Sequence, residues 1–315
     1  MKENDINRIN GDLNSGKGIC LTVLGARGSV PVHGERFHEY GGATTCFLIE
    51  AGEQAVFVDA GTGIIAADAE MVAGKEISIL LTHPHIDHLA GLPFFAPLSE
   101  KERRISVYGT QRGGSSLREQ VDALYRPPYW PLGLSAYPSD IEYHTIRYQT
   151  ISNSDRSEAS AETPMLRLGH MEIDGFEVPH PGGCTAYRIR SAGRSIVIAT
   201  DAELPFPGGR SDAAGQPPDE GADTFDADGF LAFIRGADLM LCDSQYTDAE
   251  YAVKKGYGHS TPSVAFAWKE AAGVKELLLV HHDPTHDDEF LDAWERQIGR
   301  PDVHFARRGD RRRLI

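Results

Sequence analysis

Thr82-His83-Pro84-His85-Ile86-Asp87-His88-Leu89-Ala90-Gly91 is the stretch on which the reading of this chain turns. Three histidines and an aspartate fall within six positions, directly after the apolar run Ile77-Ser78-Ile79-Leu80-Leu81. A buried strand that stops here delivers imidazole and carboxylate groups to one point. Those donor types suit zinc, manganese or iron. A lone histidine is usually a satisfied core or surface residue, but four donors packed at the end of one apolar strand are a metal signature.

Working outward, three more apolar runs end in a donor. His180 follows Phe176-Glu177-Val178-Pro179, Asp201 follows Ile196-Val197-Ile198-Ala199-Thr200, and His281 follows Leu277-Leu278-Leu279-Val280. His282 is an adjacent competitor for the last position. Further β-rich runs read Ile19–Leu24, Thr45–Glu50, Ala55–Asp59, Ile105–Tyr108, Ala186–Ile189 and Leu239–Cys242. A helix is expected over 261–273, where Thr261 can N-cap, Pro262 suits the first turn and Gly273 can close the end. Another is expected from about Asp287 to Ile298, stopped by Gly299 and Pro301. Strands separated by helices in two successive halves predict an α/β architecture of two packed mixed sheets with helices outside. Residues 1–18 read as a polar flexible tail and 19–315 as a single domain. Three long segments, Gly25–Gly42, 111–170 and 203–224, read as loops, and long loops are often functional.

Composition narrows the function classes. Lys plus Arg is 31 against Asp plus Glu 46, a formal charge of −15, so most of the surface repels phosphate backbones and large nucleic-acid partners are disfavoured. The dense basic cluster Arg307–Arg313 reads as a solvated tail or a set of ion pairs. The four cysteines, Cys20, Cys46, Cys184 and Cys242, lack disulfide or zinc-finger spacing. The N-terminal stretch has no apolar h-region, and no apolar run is long enough to span a bilayer. A cytoplasmic protein is the expectation.

These pieces resemble the metallo-β-lactamase fold hydrolases, and within them the branch of ribonuclease Z and related cyclic phosphodiesterases. The resemblance runs from Val23-Leu24-Gly25-Ala26-Arg27-Gly28-Ser29 to the His281 run. It rests on Tyr40-Gly41-Gly42-Ala43-Thr44-Thr45-Cys46, Val58-Asp59-Ala60-Gly61-Thr62-Gly63, the 83–88 cluster, His180 with Ala186-Tyr187-Arg188-Ile189, Asp201, His259-Ser260-Thr261 and His281. It implies a four-layer αβ/βα sandwich. It also implies two divalent metal ions, zinc first, with manganese or iron as alternatives. His83, His85 and His180 would hold one ion; Asp87, His88 and His281 the other; Asp201 would bridge. The ions would share a hydroxide that attacks phosphorus; Asp87 and His259 are the implied catalytic residues, with His259 protonating the leaving oxygen. Asp59 and Asp243 would orient ligand and acid from behind.

The chain departs from ribonuclease Z in two places. Where that family has a His-Glu pair, this sequence reads Cys242-Asp243-Ser244-Gln245-Tyr246-Thr247. Only the twenty residues 181–200 separate His180 from Asp201, with no room for the tRNA-gripping arm. The expectation is therefore a small phosphodiester as substrate, such as a cyclic nucleotide or cyclic ribose phosphate. Alternatives are a ribonuclease Z-like endonuclease, a lactone or thioester hydrolase on the same fold, and a non-enzymatic metal or nucleotide sensor. A homodimer is implied by resemblance only. Tyr125–Pro131 is a candidate apolar wall for a base or sugar, and Gly25–Ser29 a candidate source of N–H groups for a phosphate.

Overall fold

The computed structural model describes residues 18–147, 164–209 and 225–315. Most of the 1–18 tail and of the 203–224 loop therefore lies outside the described residues. The first sheet is built from β1 (Ile19–Gly25), β2 (Cys46–Ala51), β3 (Gln54–Val58), β4 (Glu76–Leu80), β5 (Arg104–Thr110) and β6 (Asp140–Ile146). The second is built from β7 (Leu166–Leu168), β8 (Met171–Val178), β9 (Cys184–Ser191), β10 (Arg194–Ala199), β11 (Leu239–Asp243), β12 (Glu276–Val280) and β13 (Val303–Phe305). A last strand, β14 (Arg311–Leu314), returns to pair with β1, so the orders are β14-β1-β2-β3-β4-β5-β6 and β13-β12-β11-β10-β9-β8-β7.

Each sheet joins an antiparallel half to a parallel half. β3 to β6 run parallel, as do β10 to β13. Parallel strands are covered on both faces and need near-continuous apolar sequence. Val56, Phe57 and Val58 in β3, Leu239 to Cys242 in β11 and Leu277 to Val280 in β12 meet that demand and are fully buried. One core lies between the sheets, where Val23, Phe47 and Val58 of the first meet Tyr187, Ile198 and Val280 of the second. Two further cores lie on the outer faces. The second sheet is covered by the helices Ala227–Ile234, Pro262–Ala272 and Asp288–Ile298. The first is covered mainly by short 3-10 turns and the helix Leu117–Leu124. This is the four-layer sandwich.

The helix punctuation follows the sequence. The Thr261 side chain accepts from Val264 N, and Gly273 closes that helix at φ 66°. Asp287 accepts from Phe290 N, and Gly299 closes its helix at φ 61°. Three expectations change. Segment 111–170 is not one loop, because it holds the helix Leu117–Leu124, β6 and β7. The basic cluster is a set of ion pairs and not a solvated tail: Arg311 to Arg313 pair with β1, and Arg311 and Arg312 meet Glu50 and Glu276. Tyr125 is no open wall, because it is buried with its hydroxyl donating to Leu89 O, and Trp130 packs on Tyr125 and Phe94. No helix among the described residues is long and apolar enough to cross a membrane.

Candidate metal centre

In open α/β sheets ligands gather beyond the carboxyl ends of the strands. Here the carboxyl ends of the two parallel halves face one point. β3 ends at Asp59, β4 at the 83–88 cluster, β10 at Asp201, β11 at Asp243 and β12 at His281. His180 comes from the β8–β9 turn. Three of these residues sit in the left-handed region: Asp59 at φ 63°, Asp201 at φ 52° and His281 at φ 64°. That conformation is uncommon for a residue with a side chain. It is kept where the chain must leave a strand and turn its side chain inward at once.

The donors gather in overlapping groups; His259 falls in range of His180 with Asp201 and of Asp243 with His281, and two groups account for the seven expected ligands. His83, His85 and His180 form one; Asp87, His88, Asp201 and His281 form the other, with donor atoms within 4.8 Å of one another in each. Asp201 lies between them, 3.2 Å from His88 Nε2 and 3.8 Å from His83 Nε2. The open face of the centre is the first group, where His85 is exposed and His180 half-buried, while the second group is buried. Close glycines make the fit possible. A Cβ on Gly28 would stand 2.4 Å from His281 Cδ2, and one on Gly258 would stand 2.3 Å from His180 Nδ1.

Each ring is aimed from behind. His88 Nδ1 donates to Asp59 Oδ2 at 2.8 Å, which turns its Nε2 towards Asp87 and Asp201. Asp59 also accepts from the Thr82 amide and hydroxyl, and that hydroxyl reaches His83 Nδ1 at 3.0 Å. Asp87 is held by the Ser29 N–H at 2.9 Å. His180 Nδ1 donates to Gly258 O at 2.8 Å, so its Nε2 presents a lone pair 3.1 Å from His85 Nδ1. His282 faces the other way: its Nε2 donates to Ala306 O, and its ring packs edge-on against Tyr40 and Phe305. Of the adjacent pair, only His281 reaches the centre.

The residues fit a cation on two grounds. Asp59, Asp87 and Asp201 are buried, and among the described residues their ion-pair partners are histidines only. Buried carboxylates without a cation are costly. The inward Nε2 atoms of His83 and His281 are buried and lack a hydrogen-bond partner. Burial holds His83 well below the usual imidazole range, and burial with the neighbouring His180 lowers His85. Neutral imidazole is the metal-binding form. For Asp201, burial alone would raise the pKa, but the surrounding imidazoles, with His88 hydrogen-bonded to it, outweigh burial and the net direction is down.

Beside the second group stands a dyad. His259 Nδ1 lies 2.8 Å from Asp243 Oδ2, and its ring stacks on His281 with centroids 4.7 Å apart. Burial alone would lower the His259 pKa, but the Asp243 carboxylate overrides it and the net direction is up. His259-Ser260-Thr261 divides the work locally. Ser260 N donates to Asp243 Oδ1, Ser260 Oγ accepts from Leu204 N, and Thr261 caps the following helix.

The profile of the β-lactamase superfamily domain matches residues 54–282, a span that includes both donor groups. The chain belongs to the β-lactamase superfamily. It is a hydrolase of the metallo-β-lactamase fold. A ribonuclease Z from Bradyrhizobium sp. (strain ORS 278) is 28% identical over 296 residues, covering 88% of this chain and 94% of that protein. A probable metallo-hydrolase, YhfI of Bacillus subtilis, is 22% identical over 294 residues, covering 92% and 97%. The crystal structure of the YhfI protein superposes with a TM-score of 0.62 at 21% identity, over 94% of this chain and 99% of that one. This superfamily member differs from the sequence expectation in its Gly-rich turn. Arg27 N, Gly28 N and Ser29 N donate to Ala43 O, His282 O and Asp87, so these amides hold the centre together and are taken. Sequence reasoning also missed the carbonyl of Gly258 and the hydroxyl of Thr82. Only Thr82, adjacent to the cluster, had a signal to follow.

Proposed function

We propose that this protein is a metal-dependent phosphodiesterase acting on a small phosphodiester, the cyclic ones included. The observation that carries the reading is the His259–Asp243 dyad standing against two adjacent donor groups. His83, His85 and His180 would hold one divalent ion, and Asp87, His88 and His281 a second, with Asp201 shared. The mixture of imidazole and carboxylate favours zinc, with manganese or iron as further candidates. When bound, such a pair supplies Lewis acidity: it activates water and offsets charge on phosphoryl oxygens.

The chain's own part is positioning and proton transfer. Asp59 and Thr82 fix His88 and His83, the Ser29 amide fixes Asp87, and Gly258 O fixes His180. Asp243 takes the Nδ1 proton of His259 as a hydrogen bond, so the imidazolium carries its mobile proton on Nε2. That proton goes to the leaving alkoxide, which is a poor leaving group without it. A thioester, whose thiolate leaves readily, has less need of such an acid, which favours an oxygen ester and, with two donor groups beside the dyad, the phosphodiester. Four free buried cysteines agree with a reducing, cytoplasmic setting.

A second reading is a ribonuclease Z-like endonuclease, favoured by the curated relative of that name. Against it stand the charge of −15 and the short 181–200 connection. The test is zinc-loaded protein against bis-p-nitrophenyl phosphate, cyclic mono- and dinucleotides, cyclic ribose phosphates and a 3′-extended tRNA. Turnover of small diesters, abolished in His83→Ala, is expected. Cleavage of the RNA alone would move the reading to the nuclease, and turnover of thioesters or lactones with every diester untouched would overturn it.

A further inference from the structure

We infer that Glu203, which is not a donor to either group, is a positioning residue for the His180 ligand and thereby sets the metal affinity of the His83–His85–His180 group. The inference rests on the metal-binding reading above. Glu203 lies two residues beyond Asp201, on the segment that leaves β10, and its backbone N donates to Pro179 O at 2.8 Å, next to His180. Its carboxylate reaches across to the loop before His259. Oε1 accepts from Gly256 N at 2.6 Å and from Tyr251 OH at 2.9 Å; Oε2 accepts from Gly258 N at 2.7 Å. The same Gly258 offers its carbonyl to His180 Nδ1. Gly258 sits at φ 93° with no room for a Cβ beside His180 and Pro181.

The physical chain is short. The loop of three residues, Gly256 to Gly258, has two glycines; Tyr257 N donates to Lys254 O, and the amides of both glycines donate to this carboxylate. Glu203 grips it by two amides, and the gripped residue, Gly258, presents the carbonyl of its next peptide unit to Nδ1 of His180. That fixes the tautomer, so Nε2 keeps the lone pair that faces His85. Outer partners of metal-binding histidines typically govern 10–100-fold in affinity. Usually such a partner touches the histidine directly. Here it acts through one residue, Gly258, and a carboxylate, with two accepting oxygens and no N–H of its own, serves both amides.

The experiment is stepwise zinc titration of the metal-stripped full chain against a chromophoric chelator, with cobalt(II) absorption spectra in parallel. In Glu203→Gln the amide nitrogen meets an N–H donor, so one zinc equivalent should weaken by about 10–100-fold while the other is unchanged. The cobalt spectrum of the weakened site should change in shape. Tyr251→Phe keeps both loop amides on Glu203, so its titration should match wild type. Thermal unfolding of the stripped proteins identifies a global loss of structure. Two zinc affinities in Glu203→Gln within twofold of wild type would overturn the inference while leaving the metal reading intact. Equal weakening of both sites would overturn it as well. Wild type that takes up no zinc would overturn both.

Discussion

His282 should make the metal-free protein lose stability in acid, by an amount that the structure allows to be worked out. The ring is buried, its Nε2 donates to Ala306 O, and its Nδ1 has no partner. Burial, reinforced by the nearby Arg27 guanidinium, lowers its pKa from 6.5 to about 3. The unfolded chain takes the proton near 6.5 and the folded chain does not. This contribution to stability is therefore complete above about pH 6.5 and is lost as pH falls through about 3. Its ceiling is about 5 kcal/mol, at roughly 1.4 kcal/mol per pKa unit, and about 2 kcal/mol should already be gone at pH 5. His282→Gln keeps an N–H donor for Ala306 O and removes the titration. Urea unfolding at pH 7 and pH 5, with EDTA present so that metal release adds no pH dependence, measures both proteins. Wild type should lose about 2 kcal/mol more than the variant between those pH values. Equal losses would show that His282 titrates normally, and would reopen which of the two adjacent histidines faces the centre.

His259→Ala should lower kcat by about 10²–10⁴-fold on diesters with alkoxide leaving groups and far less on p-nitrophenyl esters, whose leaving group needs no proton; steady-state kinetics on a matched pair checks it. Asp243→Asn should move the alkaline limb of the kcat/KM profile to lower pH, because the Asp243 carboxylate overrides the lowering effect of burial on His259 and holds its acid form to higher pH; an unmoved limb would remove Asp243 from that role. Gly28→Ala should cost zinc at the buried group, since the new Cβ would stand 2.4 Å from His281 Cδ2, and metal analysis after dialysis reads it directly.

What was legible in the sequence was whatever the parallel sheet forces into residue types. A strand buried on both faces must read as an apolar run, and a donor after such a run stands out; this is how His83, Asp201 and His281 could be found. β6 escaped because it is an edge strand that alternates, Asp140-Ile141-Glu142-Tyr143-His144-Thr145-Ile146, without an apolar run. The helix Leu117–Leu124 escaped because it buries only Leu117 and Val121. Arg27 is the opposite case. It looks like a surface cation, yet it is fully buried and its guanidinium donates to the carbonyls of Gly41, Asp283 and His286. Contacts to backbone carbonyls leave no mark on the partner's residue type, and the same reason hides Gly258 O behind His180.

The backbone at the strand ends shows what the arrangement costs and why it persists. A left-handed residue with a side chain costs roughly 1–3 kcal/mol when its surroundings must hold it there. Asp59 and His281 directly follow β3 and β12, and Asp201 follows β10 by one residue, and all three adopt it. Glycine would relax each position, but at 201 or 281 it would remove a donor and at 59 the carboxylate that aims His88. Strain borne at one such position could be an accident of packing. Borne at three strand ends that converge on one cluster of buried carboxylates and imidazoles, it has a common cause: the side chains are held by one another and by Thr82, Thr45 and Thr200, so the centre is preorganised before any substrate arrives.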